Sequence, residues 1–100
     1  MKRKLFFKTS EEIARLSTIL RDTTKKVLRD TKFVYECVNV NFQVGYEENN
    51  PYEYFTVYIN EAKSNRQFFL TVDMDKIEKK GFYRKLKRSL KVLTKGIDLR

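Results

Sequence analysis

Apolar residues recur along this chain with two different periods, and the period changes twice. From Thr9 to about Asp30 the spacing is helical: Ile13, Leu16, Leu20 and Val27 recur three, four or seven residues apart, and Ile19 and Leu28 widen the stripe. Arg15, Arg21, Asp22, Lys25, Lys26 and Arg29 fall largely on the opposite face. Thr9 followed by Glu12 is a capping-box spacing, which predicts where this helix starts. From Val38 to Val44 apolar and polar residues alternate strictly, the period of a half-buried strand. A polar stretch from Gly45 to Pro51 predicts a turn. Tyr54 to Glu61, rich in β-branched and aromatic residues, predicts a second strand. Ala62 to Arg66 predicts another turn, with a third strand over Gln67 to Asp73.

The helical period then returns. Phe82, Leu86, Leu90 and Leu93 form an apolar stripe. Asp75 reads as its N-cap, with Glu78 at the capping-box position, and Gly81 either kinks the helix or divides a short first turn from the main one. Gly96 reads as a left-handed C-cap with Ile97 as its hydrophobic clasp. The predicted order is α-β-β-β-α. Short turns make the three strands an antiparallel meander.

Two apolar helix stripes and one apolar sheet face imply a two-layer α+β fold, with both helices on one side of the sheet. Strand parity assigns Val38, Val40, Phe42, Val44, Phe55, Val57, Ile59, Phe68, Leu70 and Val72 to the inner face. The same parity sends Asn39, Asn41, Gln43, Tyr54, Thr56, Tyr58, Asn60, Gln67, Phe69 and Thr71 outward. The element order is shared with double-stranded-RNA-binding domains. Their glycine-rich turns and lysine-lysine-x-alanine helix start are missing; Asp75 to Lys80 stands at the matching place. Element order alone assigns no family.

With 100 residues the chain reads as one domain, preceded by a short basic arm over residues 1–8. A domain of this size buries roughly two-thirds of its unfolded surface, enough for one core. The sequence contains no histidine, so histidine triads and Cys/His zinc sites are excluded. Cys37 is the sole cysteine and sits in a predicted strand, where a buried thiol is expected. No apolar run reaches the length of a membrane span. The basic start lacks the apolar stretch of an export signal, being interrupted at Lys8, and a cytoplasmic setting is expected.

Charge changes the picture most. The formal net charge is +9. Residues 1–32 hold ten Lys/Arg against four Asp/Glu, residues 33–75 hold two against seven, and residues 76–100 hold ten against two. The helices and arm are therefore basic and the strand region acidic. Lys85, Lys87, Arg88, Lys91 and Lys95 follow one another on the polar side of the last helix, and Lys2, Arg3 and Lys4 lie in the arm. Such stripes attract polyanions by releasing condensed counterions. They also serve as ordinary solvated helix faces.

A second surface feature is the predicted outer sheet face, where Tyr54, Tyr58 and Phe69 stand among amides such as Asn41. Aromatic and amide groups there suit base stacking, or a protein interface. They also suit plain cross-strand packing.

Candidate chemistry is sparse. Glu61 and Lys63 have the Glu-x-Lys spacing of some metal-dependent nucleases, but no aspartate occurs between Asp30 and Asp73 to complete such a site. Lys63 falls in a predicted turn, where a solvated pair is expected. Asp73 and Asp75 are accounted for by a strand end and a helix cap. Glycine loops that cradle phosphate are absent from the sequence. The sequence thus favours a non-enzymatic nucleic-acid-binding domain, DNA or RNA, with no cofactor or metal. The alternative is an adaptor or inhibitor that docks on another, acidic, protein.

Overall fold

The structure is a computed structural model that describes residues 9–31, 33–63 and 66–98, with the side chains at 50 and 94–98 outside that description. Helix α1 spans Ser10–Asp30, strands β1, β2 and β3 span Tyr35–Glu47, Asn50–Glu61 and Gln67–Asp73, and helix α2 spans Phe82–Asp98. A short 3-10 turn, Met74–Lys76, joins the sheet to α2. The strands form one antiparallel sheet in the order β1-β2-β3, so the fold is α+β with the predicted meander.

Helix α1 starts where its capping box places it. The Glu12 N–H donates to Thr9 Oγ1 at 3.2 Å, and the Thr9 hydroxyl lies 3.4 Å from the Glu12 carboxylate. It ends at Thr31, whose hydroxyl donates to the carbonyls of Val27 and Leu28. Its buried stripe is Leu16, Leu20, Thr24, Val27 and Leu28. Thr24 is a core residue that apolar spacing does not reveal. Its hydroxyl donates to the Leu20 carbonyl at 2.7 Å, which leaves the methyl free to pack.

The first hairpin is longer than the alternation predicted. Gly45 and Tyr46 pair with Tyr52 and Pro51, and only Glu48 and Asn49 turn, both with positive φ. That is the two-residue turn whose twist matches a β-ribbon. Pro51 is tolerated because β3 pairs with β2 only from Tyr54 onward, so one side of Pro51 has no ladder to break. The pairing leaves little room for a side chain at Gly45: a Cβ there would come within 2.8 Å of the Tyr52 ring.

Cross-strand register confirms the two sheet faces. Val38, Ile59 and Phe68 align, as do Val40, Val57 and Leu70, and Phe42, Phe55 and Val72. Leu16 and Leu20 of α1 and Leu86 and Leu90 of α2 join Phe55, Val57 and Ile59 in one core. Burying these side chains is the main stabilising contribution. Two predicted core residues are corrected: Phe42 and Val44 are each 39% exposed. Both lie on the edge strand β1, and Val44 lies beyond the end of β3. Cys37 is also corrected. It is half-buried on the outer face, where Asn60 Nδ2 donates to its sulfur at 3.2 Å.

The predicted cap of the last helix is replaced. Asp73, not Asp75, leads into the 3-10 turn, and α2 begins only after Gly81, whose φ of 86° requires glycine. Glu78 therefore lies outside the helix. It accepts two hydrogen bonds from the Arg15 guanidinium, at 2.5 and 3.2 Å, tying this turn to α1. The helix also continues through Gly96 to Asp98, so Gly96 is no C-cap.

Candidate nucleic-acid interface

Helix α2 separates its residues by direction. Leu86 and Leu90 are buried and Leu93 partly so, while Arg84, Lys85, Arg88 and Lys91 are exposed. Lys87 is half-buried beside the apolar stripe. At 100° per residue, Arg88 stands opposite Leu86 and Leu90, with Arg84, Val92, Lys85 and Lys91 within about 60° of it. No ion pair among the described residues involves Arg84, Lys85, Lys87, Arg88 or Lys91. Val92, 73% exposed, is an apolar spot within this cationic face.

The turn before α2 adds Lys79 and Lys80, both exposed, and the first turn of α2 carries no acidic residue. Arg84, Lys79 and Lys80 escape a stripe drawn from the helix midpoint. Their signal was the density of Lys/Arg after Asp75. Of the predicted basic residues, Lys2, Arg3 and Lys4 lie outside the described residues. Lys95 is in the helical backbone, with its side chain outside the described ones.

Charge is handled differently where the helices meet. Tyr83 donates its hydroxyl to the Asp30 carboxylate, and the Lys26 ammonium lies 5.4 Å from the centre of the Tyr83 ring. The hydrogen bond to Asp30, followed by desolvation and the Asp30 charge, raises the Tyr83 phenol above its ordinary pKa. The hydrogen bond and charge of Glu78 likewise raise Arg15.

The predicted aromatic residues do share the outer sheet face. Tyr58 and Phe69 are direct cross-strand partners with ring centres 6.1 Å apart, and Phe69 is 62% exposed. Tyr54 packs instead with Tyr52, at 5.5 Å, over Gly45. Between the two aromatic pairs Thr56 is buried, donating to Gln43 Oε1 at 2.6 Å. Asn41 is exposed and joins Arg21, Asn39, Val40, Tyr58 and Gln67 around an open cleft of about 360 Å³. Arg21, from α1, is a member that strand alternation could not supply. The outer face lies across the sheet from Phe55, Val57 and Ile59, which share the core with Leu86 and Leu90 of α2, so the two predicted surfaces stand on different elements and no described contact joins them into one site.

The Glu-x-Lys pair is divided. Glu61 is the last residue of β2 and only 3% exposed, whereas Lys63 is exposed in the following turn. The expectation of a solvated pair is thus corrected for Glu61: its parity with Val57 and Ile59 turns it inward, and no buried side-chain polar atom among the described residues lacks a hydrogen-bond partner. Asp73 lies 3.8 Å from Lys76. No group of three or more metal-ligating side chains occurs among the described residues. Nor is any described helix long and apolar enough to cross a membrane.

No family model, curated protein or solved structure matches the chain.

Proposed function

We propose that this protein is a non-enzymatic nucleic-acid-binding domain, regulatory or accessory in role, that holds phosphates on the outward face of α2. The observation that carries this reading is the alignment of Arg84, Lys85, Arg88 and Lys91 on one exposed helix face, without a described acidic partner. A structural helix of a small domain commonly interleaves acids with its lysines. Here the face is one sign only, and cations so arranged exchange condensed counterions for direct phosphate contacts. Lys79 and Lys80 extend the same field to the start of α2, and Lys2, Arg3, Lys4 and Lys95 belong to the proposal by their charge. The proposed setting is the cytoplasm.

The test is a fluorescence-anisotropy titration of labelled duplex and single-stranded oligonucleotides over a salt series. Binding is expected to weaken steeply with salt. Replacing Lys87, Arg88 and Lys91 together with glutamine should reduce the slope by about one unit for each phosphate no longer neutralised. Tyr58→Ala should leave that slope unchanged. No binding at low salt, or a triple variant with the wild-type slope, would refute the proposal. Magnesium-dependent cleavage abolished by Glu61→Ala would refute its non-enzymatic part.

The second reading is a docking surface for another protein on the outer sheet face. It is favoured by the exposure of Phe69 beside Tyr58, an aromatic pair among uncharged amides. Loss of a captured protein on Tyr58→Ala and Phe69→Ala, with the α2 variant still binding it, would decide for this reading.

A further inference from the structure

We infer that β1 is a dimerisation edge, along which two copies of this chain pair their β1 strands antiparallel into one continuous six-stranded sheet. In the order β1-β2-β3, β1 has β2 on one side and, among the described residues, no strand on the other. An edge of this kind offers a row of N–H and C=O groups to any chain able to align with it. Proteins that must stay apart guard such edges with lysines, prolines, bulges or very short strands. The other edge, β3, is short, at 7 residues. β1 is 13 residues long. Its one irregularity lies between Tyr35 and Cys37, and from Cys37 to Gly45 it contains no charge and no proline.

The occupant follows from the pattern of that stretch. Its midpoint is Asn41. A twofold axis through Asn41 sets Val38 opposite Val44 of the second copy, Val40 opposite Phe42, Asn39 opposite Gln43 and Cys37 opposite Gly45. Apolar residues then meet apolar ones on the inner face, and amides meet amides on the outer. Amides both donate and accept, so they complement themselves. The half-exposed Phe42 and Val44 gain a cover that the chain's own helices do not give them. A register displaced by one residue would set apolar against polar on both faces.

Charge favours a second copy at this edge over any other part of the surface. Two chains of net charge +9 repel, and the uncharged stretch of β1 belongs to the region where acids outnumber bases. Arg21 of α1 lines the same open cleft as Asn39 and Asn41, so each copy would bring this cation toward the pairing edge. Salt screens that repulsion, so dimerisation should strengthen with ionic strength, whereas phosphate binding should weaken. The ladder is about 30 Å long and the interface modest in area, so the dimer should dissociate on dilution. A twofold axis perpendicular to the sheet leaves both helical layers, and both α2 cationic faces, on the same side.

Sedimentation equilibrium over a protein and salt series tests the inference without any nucleic acid. The expected result is a mass that rises from one chain to two with concentration, more readily at higher salt. Asn41→Lys sets two like charges across the axis and should hold the protein at one chain, with unchanged circular dichroism and melting. In a Cys37→Ser background, Asn41→Cys should form an interchain disulfide on mild oxidation, because directly opposed strand residues lie within disulfide reach. Thr71→Cys, on the exposed face of β3, should not. A single-chain mass at every concentration and salt, or a dimer that Asn41→Lys leaves intact, would overturn the inference.

Discussion

Leu90→Ala tests the packing on which the proposed α2 surface depends. Leu90 is 2% exposed and belongs to the cluster that includes Leu86, Leu16, Leu20 and Phe55. Truncation removes most of a buried isobutyl group and leaves a void that neighbours fill only partly. The expected loss is about 2–5 kcal/mol. A domain of this size has about 5–15 kcal/mol in total, so the variant should remain folded but be markedly weakened. In urea the midpoint should fall by on the order of 1–3 M with an unchanged slope, since the same surface is exposed on unfolding. Val92→Ala, two residues along the same helix but 73% exposed, is the internal control and should change stability by no more than about 0.5 kcal/mol. A midpoint shift near zero for Leu90→Ala, or equal losses for both variants, would show that α2 does not pack into the core through this stripe. The assignment of Arg84, Lys85, Arg88 and Lys91 to the outward face would then fail with it.

Two further tests address local geometry. Gly45→Ala should destabilise the β1-β2 ribbon, because the new Cβ would stand 2.8 Å from Tyr52 Cζ; adding Tyr52→Ala should recover part of the loss in denaturation midpoint, and strictly additive losses would refute the clash. Tyr83 should be among the last tyrosines to ionise in an ultraviolet titration, a late step that Tyr83→Phe removes, because its proton is held by Asp30. A phenol whose pKa is raised by folding contributes stability that is present below the unfolded pKa and is lost as pH rises through the folded one. Wild type and Tyr83→Phe should therefore differ in stability at neutral pH and converge in strong alkali; a constant difference would contradict the linkage.

Local periodicity was sufficient for much of this architecture. The capping box at Thr9, the stripe through Leu16 and Leu20, the strand Gln67–Asp73 and the inner set Phe55, Val57 and Ile59 are all legible because helix and strand repeats force a buried side chain at fixed intervals. The outer set Tyr58, Phe69 and Asn41 follows by the same parity, as does the exposed run Lys85, Arg88 and Lys91. What periodicity missed depends on partners distant in the chain. Gly45 and Pro51 look like turn residues, yet pair as strand because Tyr46 and Tyr52 stand opposite them. Glu78 resembles a cap until Arg15, 63 residues away, reaches it. Glu61 looks solvated until the inward parity of β2 carries it under cover. Phe42 looks like core but lies on an edge strand whose outer side no described element pairs. A sequence records which way a side chain points along its own element. Whether anything stands in that direction is decided by how the elements are stacked, and that decision made β1 an edge and α2 a cationic surface.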